Sequence, residues 1–150
     1  KGRMPQEYSW IWNREEQRSY YEQIFERIKS SEWSENVIFD GFGSDVNQWL
    51  KKIGFILSVS DYESFHLAIA EGMASGAFPI IRKWDGANTI YKDEWLINSV
   101  TEARDKVVQL SQLSDDLKRS MKDELYEYIS ANFSLEQISK EIDSLIKNSN

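Results

Sequence analysis

The chain reads as an α/β domain: a parallel sheet between helices, followed by a helical C-terminus. Three observations predict this. Short apolar runs alternate with helical segments and are joined by short connections. The run Ile53 to Val59 (Ile-Gly-Phe-Ile-Leu-Ser-Val) is apolar on both faces, as expected of a central parallel strand covered from both sides. Beyond Val100 the pattern is helical to the end.

The elements follow in order. Lys1-Gly2-Arg3-Met4-Pro5 gives a turn and reads as the cut end of a longer chain. Arg14 to Ser30 is predicted helical, with Tyr21, Ile24, Phe25 and Ile28 on one stripe. Val37-Ile38-Phe39 is predicted to be a strand ending in the glycine turn Asp40-Gly41-Phe42-Gly43. Ser44 or Asp45 caps a short helix through Leu50. After the strand at 53–59, a helix from Ser64 to Ser75 is stopped by Gly76. Phe78-Pro79-Ile80-Ile81 is the next strand, with Pro79 near its start. A loop at Trp84-Asp85-Gly86-Ala87 leads to a short helix near Asn88–Tyr91, and Trp95-Leu96-Ile97 forms an edge strand. Helices at about 100–111, 114–131 and 134–147 complete the chain, the last two capped by Ser114 and Ser134.

Composition narrows the function. The 150 residues are 41% hydrophobic and 29% charged, so they can bury a core and read as a single domain, 1–150. There is no cysteine, which excludes disulfide scaffolds and thiol catalysis; with one histidine, a zinc site is excluded too. A net charge of -7 argues against nucleic acid as partner. No apolar run approaches the roughly 20 residues of a membrane span. Walker, dinucleotide-binding and serine-hydrolase motifs are missing. Lys51-Lys52 and Arg82-Lys83 read as solvated pairs. The cluster Tyr8, Trp10, Trp12 reads as packing rather than sugar docking, while Trp84 and Asp85 fit cleft lining and loop packing equally.

Chemistry concentrates in Asp61 to Gly76. Glu63 falls at the carboxyl end of a buried strand, where ligands sit in parallel sheets. Ser64 then opens a helix whose free N–H groups suit a phosphate. Glu71 follows two helical turns later among Ala68, Ile69, Ala70, Met73 and Ala74, and its carboxylate can accept from both hydroxyls of a vicinal diol. Spacing alone leaves a second account standing: Glu63 caps the helix, Glu71 reaches solvent, and the small residues only allow tight packing.

Glu63, Ser64, Phe65, Leu67, Glu71, Met73, Ala74, Ser75, Gly76, Pro79 and Ile81, taken in order, resemble the Glu-x7-Glu motif of the family 4 (group 1) retaining glycosyltransferases, which have the GT-B fold. Val37-Ile38-Phe39-Asp40-Gly41 resembles that family's Val-x-Phe-x-Gly strand, so the similarity covers about residues 37–92. The resemblance implies the C-terminal, nucleotide-sugar-binding half of a GT-B enzyme, a Rossmann-like three-layer domain with a parallel sheet. Such an enzyme, of hexosyltransferase type, transfers sugar from a nucleoside diphosphate donor to a glycan, lipid or other acceptor, as in polysaccharide biosynthesis. Glu71 would bind the ribose hydroxyls, and Glu63 would stand beside the transferred sugar as the catalytic residue. The N–H groups near Phe65, His66 and Leu67 would face the diphosphate. Phe42, Gly43 and Asp45 would lie by the nucleobase. No metal or cofactor is implied, because helix dipole and basic groups neutralise the leaving diphosphate.

The sequence departs from the family pattern in two residues. His66 stands where the family has Gly, so a side chain either donates to diphosphate or sugar or points aside. Gly72 stands where the family has Ala, a small loss of helix propensity. The N-terminal acceptor-binding domain is missing, as is the opening strand with its Gly-Arg…Lys cations, and Lys1 and Arg3 do not map onto those cations. The expectation is therefore an incomplete donor domain, inactive alone, whose helix 134–147 crosses to the missing domain. The resemblance implies a cytoplasmic protein; location at the inner membrane face, through the missing part, is the further option. The alternatives are a catalytically inactive α/β binding module and a GT-B sugar-nucleotide epimerase fragment.

Overall fold

The computed structural model describes residues 1–148, which fall into two compact units, Lys1–Val46 and the chain from Asn47 onward. In the first unit, helix α1 (Ser9–Trp12) buries Ile11, and α2 (Glu15–Lys29) carries the predicted Tyr21/Ile24/Phe25 stripe. Phe25 meets Phe39 edge-on, with ring centroids 5.7 Å apart. The predicted strand 37–39 does not form: these residues are extended but belong to no sheet, and Ile38 and Phe39 are exposed. A strand needs a partner along its length. Here the Gly2 N–H reaches the Asp40 carbonyl (2.9 Å) at the end of the run. The apolar residues meet α2 and not a ladder.

Helix α3 (Val46–Leu50) leads into the second unit, whose parallel sheet consists of β1 (Phe55–Ser58), β2 (Phe78–Arg82) and β3 (Leu96–Ile97), in that order. The register pairs Phe55 with Phe78, Ser58 with Ile81 and Ile81 with Leu96. This corrects one expectation. The strand read as central is an edge among the described residues, with Leu57 57% and Val59 63% exposed. The strand covered from both sides is β2, whose Phe78 to Ile81 are all buried. Apolarity on both faces measures how much could be buried, and neighbouring strands decide where.

Helix α4 (Leu67–Ala74) packs Ile69 and Met73 onto the sheet face that carries Ile81 and Leu96. It begins at Leu67 and not at the predicted Ser64. Its C-terminus is a Schellman turn: Gly76 N–H bonds to Met73 O and Ala77 N–H to Gly72 O, both 2.9 Å, with Gly76 at φ 86°. Helix α5 (Ala87–Ile90) leads through a 3-10 turn to β3. Then α6 (Val100–Ser111), α7 (Asp115–Phe133) and α8 (Leu135–Asn148) follow within two residues of their predicted limits. Ser99 and Ser114 cap α6 and α7 through backbone N–H bonds of 3.1 and 3.4 Å. α7 contributes Leu125 and Ile129 to the core, where Trp84, Tyr91 and Trp95 are also buried. Trp84 is thus loop packing, T-shaped against Tyr91 at 6.1 Å. Trp10 is exposed beside Tyr8 and is not part of the core. Among the described residues no helix is long and apolar enough to cross a membrane.

Candidate functional site

The carboxyl end of β1 supplies the first fixed point. Ser58 closes the strand on the α4 side and is 1% exposed. Its Oγ lies 2.7 Å from His66 Nδ1. That contact anchors the connecting loop to the sheet and explains why α4 starts late. With the ring held at Ser58, His66 adopts φ -81°, ψ 83°, an inverse γ-turn. Leu67 N–H therefore bonds to Phe65 O at 3.0 Å. Ile69 N–H and the Tyr91 hydroxyl both donate to His66 O, at 3.0 and 3.2 Å. Residues 64–66 thus form a loop braced on three elements rather than a first helical turn.

Glu63 is brought to this loop. Its Oε1 lies 3.7 Å from His66 Nδ1, with the two side chains 28% and 26% exposed. Burial pushes the Tyr91 hydroxyl up to about 12, with the charges of Tyr128 and Glu63 adding to the effect. Tyr91 therefore stays protonated, as a donor to His66 O, throughout the neutral range. Tyr128, itself raised by burial, donates to Ile90 O at 2.6 Å and holds the segment that carries Tyr91. Two residues before Glu63, Asp61 pairs with Arg82 at the carboxyl end of β2, at 2.7 Å. Arg82 is thus half of an exposed ion pair and not simply a solvated cation.

Glu71 is exposed. The mixture of apolar residues around it in sequence wraps the helix, and its carboxylate lies on the outer side, on the rim of an apolar groove of about 440 Å³ lined by Phe65, Leu67, Ala70, Ile129 and Phe133. Phe65 packs on Phe133 at 5.1 Å. So the side chain of Phe65 packs against α7, while Leu67 lines the groove and is exposed. Leu67 N–H, read in sequence as one of the groups facing a diphosphate, is taken by Phe65 O. Ser64 is exposed in the loop. A separate cavity of about 270 Å³, with Phe78, Trp95, Lys106 and Glu124 among its lining residues, lies at the other, amino end of β2.

Phe42, Gly43 and Asp45 belong to the first unit. Asp45 is paired with Lys1 at 3.0 Å, and the Arg3 guanidinium lies 5.1 Å from the Phe42 ring centre. A Cβ on Gly43 would stand 2.5 Å from Asp45 Oδ1, so glycine lets that carboxylate fold back over the backbone.

Sequence reasoning missed Ser58 and Tyr91. Ser58 had a signal, a lone hydroxyl in an otherwise apolar strand that must find a partner once buried. Tyr91 had none, because its bond to His66 joins residues 25 apart.

The sequence model of the family described as glycosyl transferases group 1 matches residues 13–113, about two thirds of the chain, and that span includes Glu63, His66 and Glu71. No curated protein and no solved structure matches it.

Proposed function

The chain belongs to the group 1 glycosyl transferases, and from that membership we propose that it forms the donor-binding part of a retaining glycosyltransferase that takes a nucleoside diphosphate sugar. One observation carries the reading. Glu63 and His66 meet at the carboxyl end of β1, at the start of α4, and Glu71 stands exposed on that same helix. In a parallel sheet this end is where ligands bind.

The division of labour follows from the chemistry. Glu71 accepts hydrogen bonds from the two ribose hydroxyls, which an exposed carboxylate can do together. The helix dipole of α4 and the His66 imidazole face the diphosphate, His66 replacing the backbone approach that glycine allows. Glu63, held beside His66, orients the transferred sugar and stabilises positive charge developing on its ring. For Phe42, Gly43 and Asp45 of the first unit, the resemblance to the family implies nucleobase contacts. The acceptor is held by a domain outside this sequence, and turnover requires both. An inactive binding module would bind the donor and transfer nothing.

Calorimetry of the full-length protein against UDP-, GDP- and ADP-sugars tests the proposal. One donor is expected to bind, and Glu71→Gln is expected to weaken it about ten- to hundredfold through loss of a charge-assisted hydrogen bond. Unchanged affinity in that variant removes Glu71 from the site. No binding by any donor removes the reading.

A further inference from the structure

His66 is the chain's single histidine, and its surroundings define more than its position. Its carbonyl is filled by Ile69 N–H and the Tyr91 hydroxyl, and its backbone is fixed in the γ-turn, so the ring departs from a rigid base. Two side chains then compete for Nδ1. Ser58 Oγ lies at 2.7 Å and can donate or accept. Glu63 Oε1 lies at 3.7 Å, beyond a hydrogen bond, and its carboxylate can only accept.

We propose that Ser58 is a positioning residue that decides which nitrogen of His66 carries the proton. Among the described residues, the Ser58 hydroxyl has His66 Nδ1 as its partner, and a buried O–H without an acceptor is costly. Ser58 therefore donates to Nδ1, and the neutral imidazole holds its proton on Nε2. The nitrogen left for a ligand is then a donor, the polarity that a phosphate or sugar oxygen requires. Without Ser58, the Glu63 carboxylate draws the proton to Nδ1, and Nε2 turns a lone pair toward the ligand. This function of Ser58 rests on the donor-site reading above, but the tautomer itself exists without any donor.

The two therefore separate experimentally. Nitrogen NMR of the ring in the ligand-free full chain, at about pH 8.5 where an ordinary imidazole is neutral, reads the tautomer, with the His66 signals identified by their loss in His66→Gly. The wild type is expected to show the Nε2–H tautomer. Ser58→Thr, which keeps the hydroxyl, is expected to retain it, and Ser58→Ala to shift it toward Nδ1–H. An Nδ1–H tautomer in the wild type overturns the proposal, even if a variant fails to fold; so does an unchanged tautomer in Ser58→Ala. With the bound nucleotide sugar, Ser58→Ala is expected to lose about tenfold in affinity and to lose nothing further once His66→Gly is in place. An equal loss in that background means Ser58 does not act through His66. Absence of binding by every donor refutes the donor reading and leaves the tautomer result to decide the positioning function.

Discussion

Replacing Gly72 with alanine separates helix propensity from tertiary contact. On an isolated helix, glycine to alanine stabilises by about 1 kcal/mol. In this fold, a Cβ at position 72 would lie 2.9 Å from Ile56 Cβ and 3.0 Å from each of its γ-carbons. Ordinary contact begins at 3.4 Å, so α4 and β1 must part by about 0.5 Å. Ile56 cannot yield alone, because two of the three atoms branch from a Cβ fixed by the strand. Overpacking of this kind costs about 1–3 kcal/mol, of which the propensity gain offsets about 1 kcal/mol. Gly72→Ala is therefore expected to destabilise the protein by up to about 2 kcal/mol. Urea unfolding followed by circular dichroism measures this as a midpoint lowered by up to about 1 M, at an m-value near 2 kcal/mol/M. In an Ile56→Gly background the Cβ and both γ-carbons are gone, and the same substitution is expected to be neutral or stabilising, a coupling of about 1–3 kcal/mol. Stabilisation by Gly72→Ala in the wild-type background would refute the close approach of α4 to β1.

Two further outcomes follow from the same region. Tyr91, pushed up to about 12 from an ordinary value near 10, favours the folded state fully below pH 10; that contribution, about 2–3 kcal/mol, is lost as pH rises through 12. Tyr91→Phe is expected to lose stability near neutral pH, for want of the bond to His66 O, and to fall less steeply between pH 10 and 12; parallel wild-type and mutant curves in denaturant titrations across that range would contradict the burial argument. Glu63→Gln, in the intact enzyme with its acceptor, is expected to lower kcat much more than it raises the donor KM, the mark of an interaction made in the transition state; a change in KM alone makes Glu63 a passive sugar clamp, and no change in either makes it a structural residue of the loop.

Residues 53–147 show what the sequence determines by itself. The strand at 55–58, the Gly76 stop, the strand opening at Phe78-Pro79 and the three C-terminal helices are local or periodic signals. Each is written within a few residues, as a cap, a period or a turn. The run from Glu63 to Ile81 that resembles the family is legible for the same reason. Tertiary structure decided the rest. Whether Val37-Ile38-Phe39 becomes a strand depends on a partner backbone, and here α2 takes those side chains instead. Which of β1 and β2 is covered on both faces depends on sheet order, which composition does not carry. The late start of α4 depends on Ser58, eight residues before His66, holding the ring and turning the chain at 66. Gly72 looks like a weak helix residue until Ile56 is placed against it. Hydrogen bonds between distant residues form only once packing brings them together, so the pairing of Ser58 and Tyr91 with His66 belongs to the fold and not to any local stretch of the chain.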